Sequence, residues 1–264
     1  MSLAEFDVTG QKVLIVGAGR GICKGIALVF AEAGADVAIA SLTAATVGKV
    51  AEEIRAMGGT ALSVTGDATK AADMDQITAK VLAEFRHIDT LVTCVGDSIR
   101  KPVVQLPRSS EEGMTEDDRN NVLNINLTEA FQGCRSVGSH LLERRQGSVI
   151  NISGWASFRG RPGYSAYDAA KAGVMRFTEP VSQEWAPFGV RVNAVAPGSF
   201  PDLDQMAAQA YQNRQDDAKS RVLLGRSGKL KEPGYLCVLL ASPAASYITG
   251  QTWAVDGGIS IKHP

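Results

Sequence analysis

Tyr167 and Lys171 stand four residues apart in "GYSAYDAAKAG", a spacing that puts both side chains on one face of a helix. An ammonium held near a phenol favours its ionised form. A phenol of reference pKa ~10 donates and accepts protons usefully near neutrality only with help of that kind. The pair is acid–base hardware wherever a fold brings a substrate to it. The same spacing also arises on ordinary surface helices, so the surrounding elements have to decide.

A second group is built for phosphate. Gly17, Gly19 and Gly21 fall between the apolar run "KVLIV" and a helical pattern over 22–33. There, backbone N–H groups and the positive end of a helix can approach a pyrophosphate. The spacing is not G-x-G-x-x-G, because position 22 is Ile22; it fits a looser G-x-x-x-G. About twenty residues on, where an acidic residue would hold the adenosine ribose hydroxyls of NAD, stands Ser41. A neutral residue does not repel a 2'-phosphate, and Arg20 can pair with one, so NADP is favoured over NAD.

The elements that must position these groups alternate along the chain. The short runs "KVLIVGA", "DVAIAS", "ALSVTGD", "DTLVTCVG", "GSVINIS", "VRVNAVAPG" and "TWAVDGG" are mostly continuous in apolar character, as strands covered on both faces require. Helical patterns lie between them at 22–33, 44–57, 70–85, 120–143 and 167–186, several closed by glycine (Gly34, Gly58, Gly147, Gly189). This alternation predicts a doubly wound α/β fold with a parallel sheet. Its ligands belong outside the carboxyl ends of the strands, where the segments after "KVLIV" and "GSVINIS" lie.

The 264 residues, 45% hydrophobic and 21% charged, suit one domain over 1–264, with polar insertions near 98–119 and 199–230 expected to form substrate loops. A net charge of -1 argues against nucleic acid as a partner. Cys23, Cys94, Cys134 and Cys237 show no paired spacing, and His87, His140 and His263 do not cluster with them. Neither a disulfide framework nor a metal site is signalled. No apolar run is long enough to span a membrane and the first residues do not read as a signal peptide, so no membrane association and a cytoplasmic location are expected.

The glycine turn, "GDAT" at 66–69, "NINL" at 124–127, Y-x-x-x-K at 167–171, "NAVAPG" at 193–198 and "SYITGQTWAVDGG" at 246–258 occur in an order and at spacings that resemble the short-chain dehydrogenase/reductase family, over essentially the whole chain. The resemblance implies a single Rossmann-type domain with a seven-stranded parallel sheet, assembled as a homotetramer. It implies hydride transfer between NAD(P) and a small or medium carbonyl or alcohol. Tyr167 is then the catalytic acid/base, and Lys171 binds the nicotinamide ribose and lowers the tyrosine pKa. Asn126 holds a proton-relay water and Asp67 binds the adenine ring. Ala68, Gly96, Pro197 and Gly198 complete the cofactor groove with Gly17, Gly19, Arg20, Gly21, Ile22 and Ser41.

Departures accompany the resemblance. Gly154 stands thirteen residues before the tyrosine, where the family places a serine that bonds the substrate oxygen. Ser153 beside it should point to the other face, and Ser157 is a loop hydroxyl that could reach in. Val16, Cys23 and "TCVG" at 93–96 replace the usual threonine, glycine and N-N-A-G. Asp202 stands where P-G-x-x-x-T has its threonine, which places a carboxylate toward the nicotinamide and pyrophosphate. An alternative is therefore a relative that binds nucleotide or another ligand and has lost or replaced hydride transfer. The substrate pocket is expected from 96–108, Trp155 to Tyr164 and 199–226, with Ile99, Trp155, Phe158, Phe200 and Tyr211 as its aromatic and apolar candidates. Arg159 and Arg161 are either anion contacts or solvated charges.

Overall fold

The structure, a computed structural model, describes residues 3–262; His263 lies outside them. Strands β1 (Lys12–Val16), β2 (Asp36–Ser41), β3 (Ala61–Thr65), β4 (Thr90–Thr93), β5 (Gly147–Ile152), β6 (Val190–Pro197) and β7 (Thr252–Val255) form one sheet in the order β3-β2-β1-β4-β5-β6-β7. Every neighbouring pair is parallel.

The unbroken apolar runs follow from the sheet's two covered faces. Along β1, Val13 and Ile15 enter one hydrophobic cluster while Leu14 and Val16 enter the other, and β2 divides Val37 and Ile39 from Ala38 and Ala40 in the same way. Helices α1 (Gly21–Glu32), α2 (Ala44–Ala56) and α8 (Glu232–Ala241) fill the first cluster. Helices α3 (Ala71–Phe85), α5 (Glu129–Arg144) and α6 (Ser165–Trp185) fill the second.

The helix expected over 120–143 is two helices. It begins earlier, as α4 (Glu116–Leu123), because Thr115 and Asp118 form a reciprocal capping box inside the stretch read as an insertion. It then passes through a π-helical turn, Asn124–Thr128, before α5. Gly147 does not close α5: Arg145 does, at φ 52°, and Gly147 opens β5. The 199–230 insertion is likewise partly ordered, since it carries α7 (Ala208–Arg221).

One expectation about the cysteines is overturned. Cys23 and Cys94 are joined as a disulfide, with Cα atoms 5.9 Å apart. Their 71-residue separation carries no spacing signal. The fold brings them together because β4 lies beside β1 and α1 starts just beyond the end of β1.

Candidate active site

The strand order turns around between β1 and β4, and a cleft of about 1060 Å³ opens along the carboxyl edge of the sheet at that point. Ser41 and Asp67, at the ends of β2 and β3, line one side; Trp155, Tyr164 and Tyr167, beyond β5, line the other. The glycine turn forms the floor between them. Gly21 has φ +58°, a left-handed conformation that glycine adopts without penalty, and it presents its N–H at the start of α1. That N–H donates to Asp202 Oδ2 at 3.0 Å, so a carboxylate already occupies the helix end suited to an anion.

Most of the expected cofactor residues meet here: Gly17, Gly19, Arg20, Gly21, Ile22, Ser41, Asp67, Ala68, Gly96, Pro197 and Gly198 all line the one cleft. Ser41 Oγ lies 3.2 Å from Thr46 Oγ1, with no acid at that strand end. Asp67 Oδ1 accepts from Thr69 N–H at 3.0 Å and from Thr69 Oγ1 at 2.7 Å. Burial pulls the Asp67 carboxyl up, but the Thr69 bonds and Lys70 outweigh it, so its pKa lies below the ordinary value. The donors, the neutral Ser41 and the glycine floor fit a dinucleotide.

At the other end, Lys171 is almost wholly buried and its Nζ donates to Ile152 O at 3.0 Å and Val95 O at 3.4 Å. Asn126 Nδ2 donates to Asp97 O at 2.7 Å and Val122 O at 2.8 Å, while its Oδ1 is buried without a partner. These two groups converge on Gly96, where a Cβ would lie 3.0 Å from Asn126 Oδ1 and 3.2 Å from Lys171 Nζ. Only a residue without a side chain leaves that approach clear. A Cβ at Gly154 would lie 3.7 Å from Tyr167 Oη, so position 154 faces the phenol.

The charges around Tyr167 differ from expectation. Burial raises its pKa, and the cation that pulls it down is Arg161, whose guanidinium carbon sits 5.4 Å from the ring centre, rather than Lys171. Lys171 Nζ is engaged by the backbone carbonyls of Ile152 and Val95. Arg161 is itself fixed by Asp168, with Nη2 to Oδ1 at 2.6 Å, and lies over the rings of Tyr164 and Trp155. Of the two readings of this arginine, solvated charge is excluded; Arg159 instead donates to Lys262 O at 2.6 Å.

Ser157 does not stand in for a serine at 154. Its hydroxyl is hydrogen-bonded to Ser153 Oγ and it does not line the cleft, and Ser153 also donates to Lys171 O at 2.9 Å. Among the apolar candidates Trp155 and Phe200 line the cleft, whereas Ile99, Phe158 and Tyr211 do not.

Sequence reasoning missed Glu129, one turn beyond Asn126 and 1% exposed, with Oε1 lacking a partner. Burial pushes its pKa up to about 8, against the pull of Lys171 and the amides of Val95 and Cys94. Burial lowers Lys171 to about 8, against the pull of Glu129. The available signal was a lone acid on a face otherwise carrying Ala130, Gly133, Cys134 and Val137.

The description of the family model matching residues 17–260 is enoyl-(acyl carrier protein) reductase. A 3-oxoacyl-[acyl-carrier-protein] reductase of Synechocystis sp. is 37% identical over 255 residues, covering 96% of this chain and 98% of the relative. Among solved structures, a gluconate 5-dehydrogenase from Burkholderia cenocepacia in complex with NADP and tartrate has a TM-score of 0.89 at 29% identity, covering 98% of this chain and 99% of its own. A short-chain type dehydrogenase/reductase from Mycobacterium marinum has a TM-score of 0.87 at 28% identity, with 98% of both chains covered. With the glycine floor, the Tyr167–Lys171 helix and the seven-stranded sheet all carried on one matched length, the chain belongs to the short-chain dehydrogenase/reductase family.

Proposed function

We propose that the protein is an NAD(P)-dependent oxidoreductase acting on a small or medium carbonyl or alcohol. The observation that carries the reading is the placement of Tyr167 in the same cleft as Gly21, with the side-chain-free Gly154 facing the phenol, its Cβ position 3.7 Å from Tyr167 Oη. A bound nicotinamide dinucleotide supplies or accepts the hydride. Tyr167 gives a proton to the substrate oxygen in reduction and takes one in oxidation. Lys171 and Asn126 are both buried at Gly96; Lys171 would bind the nicotinamide ribose, and Asn126 would hold the water through which the proton at Tyr167 is exchanged. Gly154 takes the place of the family's serine, so the substrate oxygen has one side-chain donor fewer and the pocket more room.

NADP is preferred to NAD in this reading, since Ser41 brings no negative charge to the ribose and Arg20 lies in the same turn. The protein acts in the cytoplasm as a homotetramer; exposed Phe131, Tyr235 and Trp253 are apolar surface that further copies would cover. Following nicotinamide absorbance with NADPH or NADH across a panel of 3-oxoacyl thioesters, sugar keto-acids and simple ketones tests the activity. Cofactor binding without turnover anywhere in the panel would refute hydride transfer and leave the binding-only alternative. Light scattering measures the assembly.

A further inference from the structure

Two anchor points of the cleft are engaged by the chain's own 202–205 turn. The Asp202 carboxylate takes the Gly21 N–H at 3.0 Å through Oδ2, while its Oδ1 accepts from Asp204 N–H at 3.0 Å. Three residues further along, Gln205 Oε1 accepts from Arg20 Nη1 at 3.3 Å. The first contact sits where a pyrophosphate meets the start of α1, and the second occupies the guanidinium suited to a 2'-phosphate.

The turn is also placed to move. Leu203, Asp204 and Gln205 are exposed, so lifting them uncovers little apolar surface. Upstream the chain is pinned where Gly228 N–H donates to Ser199 O at 2.9 Å, and downstream α7 begins at Ala208. The free piece is therefore short and held at both ends.

We propose that Asp202 and Gln205 are affinity-determining residues that compete with the dinucleotide for Gly21 and Arg20, so that cofactor enters by displacing this turn. The proposal rests on the dinucleotide reading of the cleft. Competition follows from charge: a carboxylate and a pyrophosphate cannot share one N–H, and the anion left beside the phosphates repels them. The apparent affinity is the intrinsic one multiplied by the fraction of molecules with the turn displaced.

Fluorescence titration of the full chain with NADPH and NADH tests this on wild type, Asp202→Asn and Gln205→Ala, with thermal melting of each protein alone. Asp202→Asn keeps the shape but not the charge and should bind both cofactors ~10- to 100-fold more tightly, the range for one charge-assisted bond. Gln205→Ala should tighten NADPH more than NADH, because only the former carries the phosphate for Arg20. A melting temperature that falls while affinity rises is the signature of a contact useful only without cofactor; a plain structural role moves both downward. Equal or weaker binding by Asp202→Asn overturns the proposal while leaving the cofactor reading intact. If that variant does not fold, equal binding by Gln205→Ala and wild type overturns it. No binding of either cofactor by any of the three proteins overturns the cofactor reading and the proposal together.

Discussion

Gly154→Ser adds the donor that the site lacks, and the local geometry permits it. The backbone at 154 is extended (φ -178°), a conformation open to any residue, and a Cβ meets nothing closer than Tyr167 Oη at 3.7 Å and Lys171 Cγ at 3.8 Å. Both are ordinary van der Waals contacts, so folding should be undisturbed. One bond further out, a hydroxyl reaches hydrogen-bonding distance of Tyr167 Oη, ~2.8 Å, and of the substrate oxygen the phenol serves. A donor aimed at a developing alkoxide is worth ~10²–10³ in rate where it is preorganised. A serine free to rotate should capture the lower end, so kcat on a small ketone should rise by roughly 10²-fold. Gly154→Ala, which adds the carbon without the hydroxyl, should stay near wild type on the same ketone. With bulky substrates both variants should show a raised KM, since each takes the same volume. Single-turnover absorbance of NADPH separates the chemical step from binding. If Gly154→Ser is no faster than Gly154→Ala, or if the change appears only in cofactor affinity, the placement of residue 154 beside the reacting oxygen is refuted.

Tyr167→Phe keeps the ring under Arg161 but removes the transferable proton, and turnover should fall by ~10²–10⁴-fold with an unchanged melting temperature; full turnover would remove Tyr167 from the mechanism. Ser41→Asp should shift preference from NADPH toward NADH in paired kcat/KM measurements, and a wild type that already prefers NADH strongly contradicts the reading of Ser41 and Arg20. Burial raises the Glu129 pKa above its ordinary 4.5, so over a window above that value the folded state keeps a proton that the unfolded chain releases. The native state therefore binds more protons across that window, and stability falls as pH rises through it. Glu129→Gln should flatten or reverse this slope in urea denaturation at pH 5 and pH 8, while a slope equal to that of wild type would show that Glu129 does not titrate as its burial requires.

What was legible came from local chemistry repeated at fixed offsets. Glycines after a strand, an unbroken run such as "KVLIV" and a Tyr–Lys pair at helical spacing each report a constraint within a few residues. Contacts made across the fold left no such trace. Cys23 meets Cys94 only because β1 and β4 are neighbours, and Asp202 reaches Gly21 across 181 residues of chain. Arg161 was visible as a charge, but its role depends on Asp168 and three rings that only the folded loop assembles. Glu129 was hidden differently: an acid near the start of a helix usually faces water, and nothing local says that this one lies beneath Lys171's charge.

The wide turn between α4 and α5 acts as a phase shifter. Glu129 N–H reaches back five residues to Asn124 O, so the segment holds one residue more than an α-helix of the same rise. Each α-helical residue advances the screw by about 100°, so the extra residue rotates α4 by about that angle relative to α5. The two helices then serve different neighbours from one continuous rod. Asp118 of α4 meets Lys101 at 2.7 Å, while α5 lays Gly133 and Val137 against the sheet. Asn126 lies within the shifted turn, which sets the approach of its Oδ1 to Gly96. Chain length between 124 and 128 is thus a coordinate of the site in its own right. Deleting one residue there would preserve nearly every side chain yet unscrew one helix from the other, and should cost more than most single replacements within the same five positions.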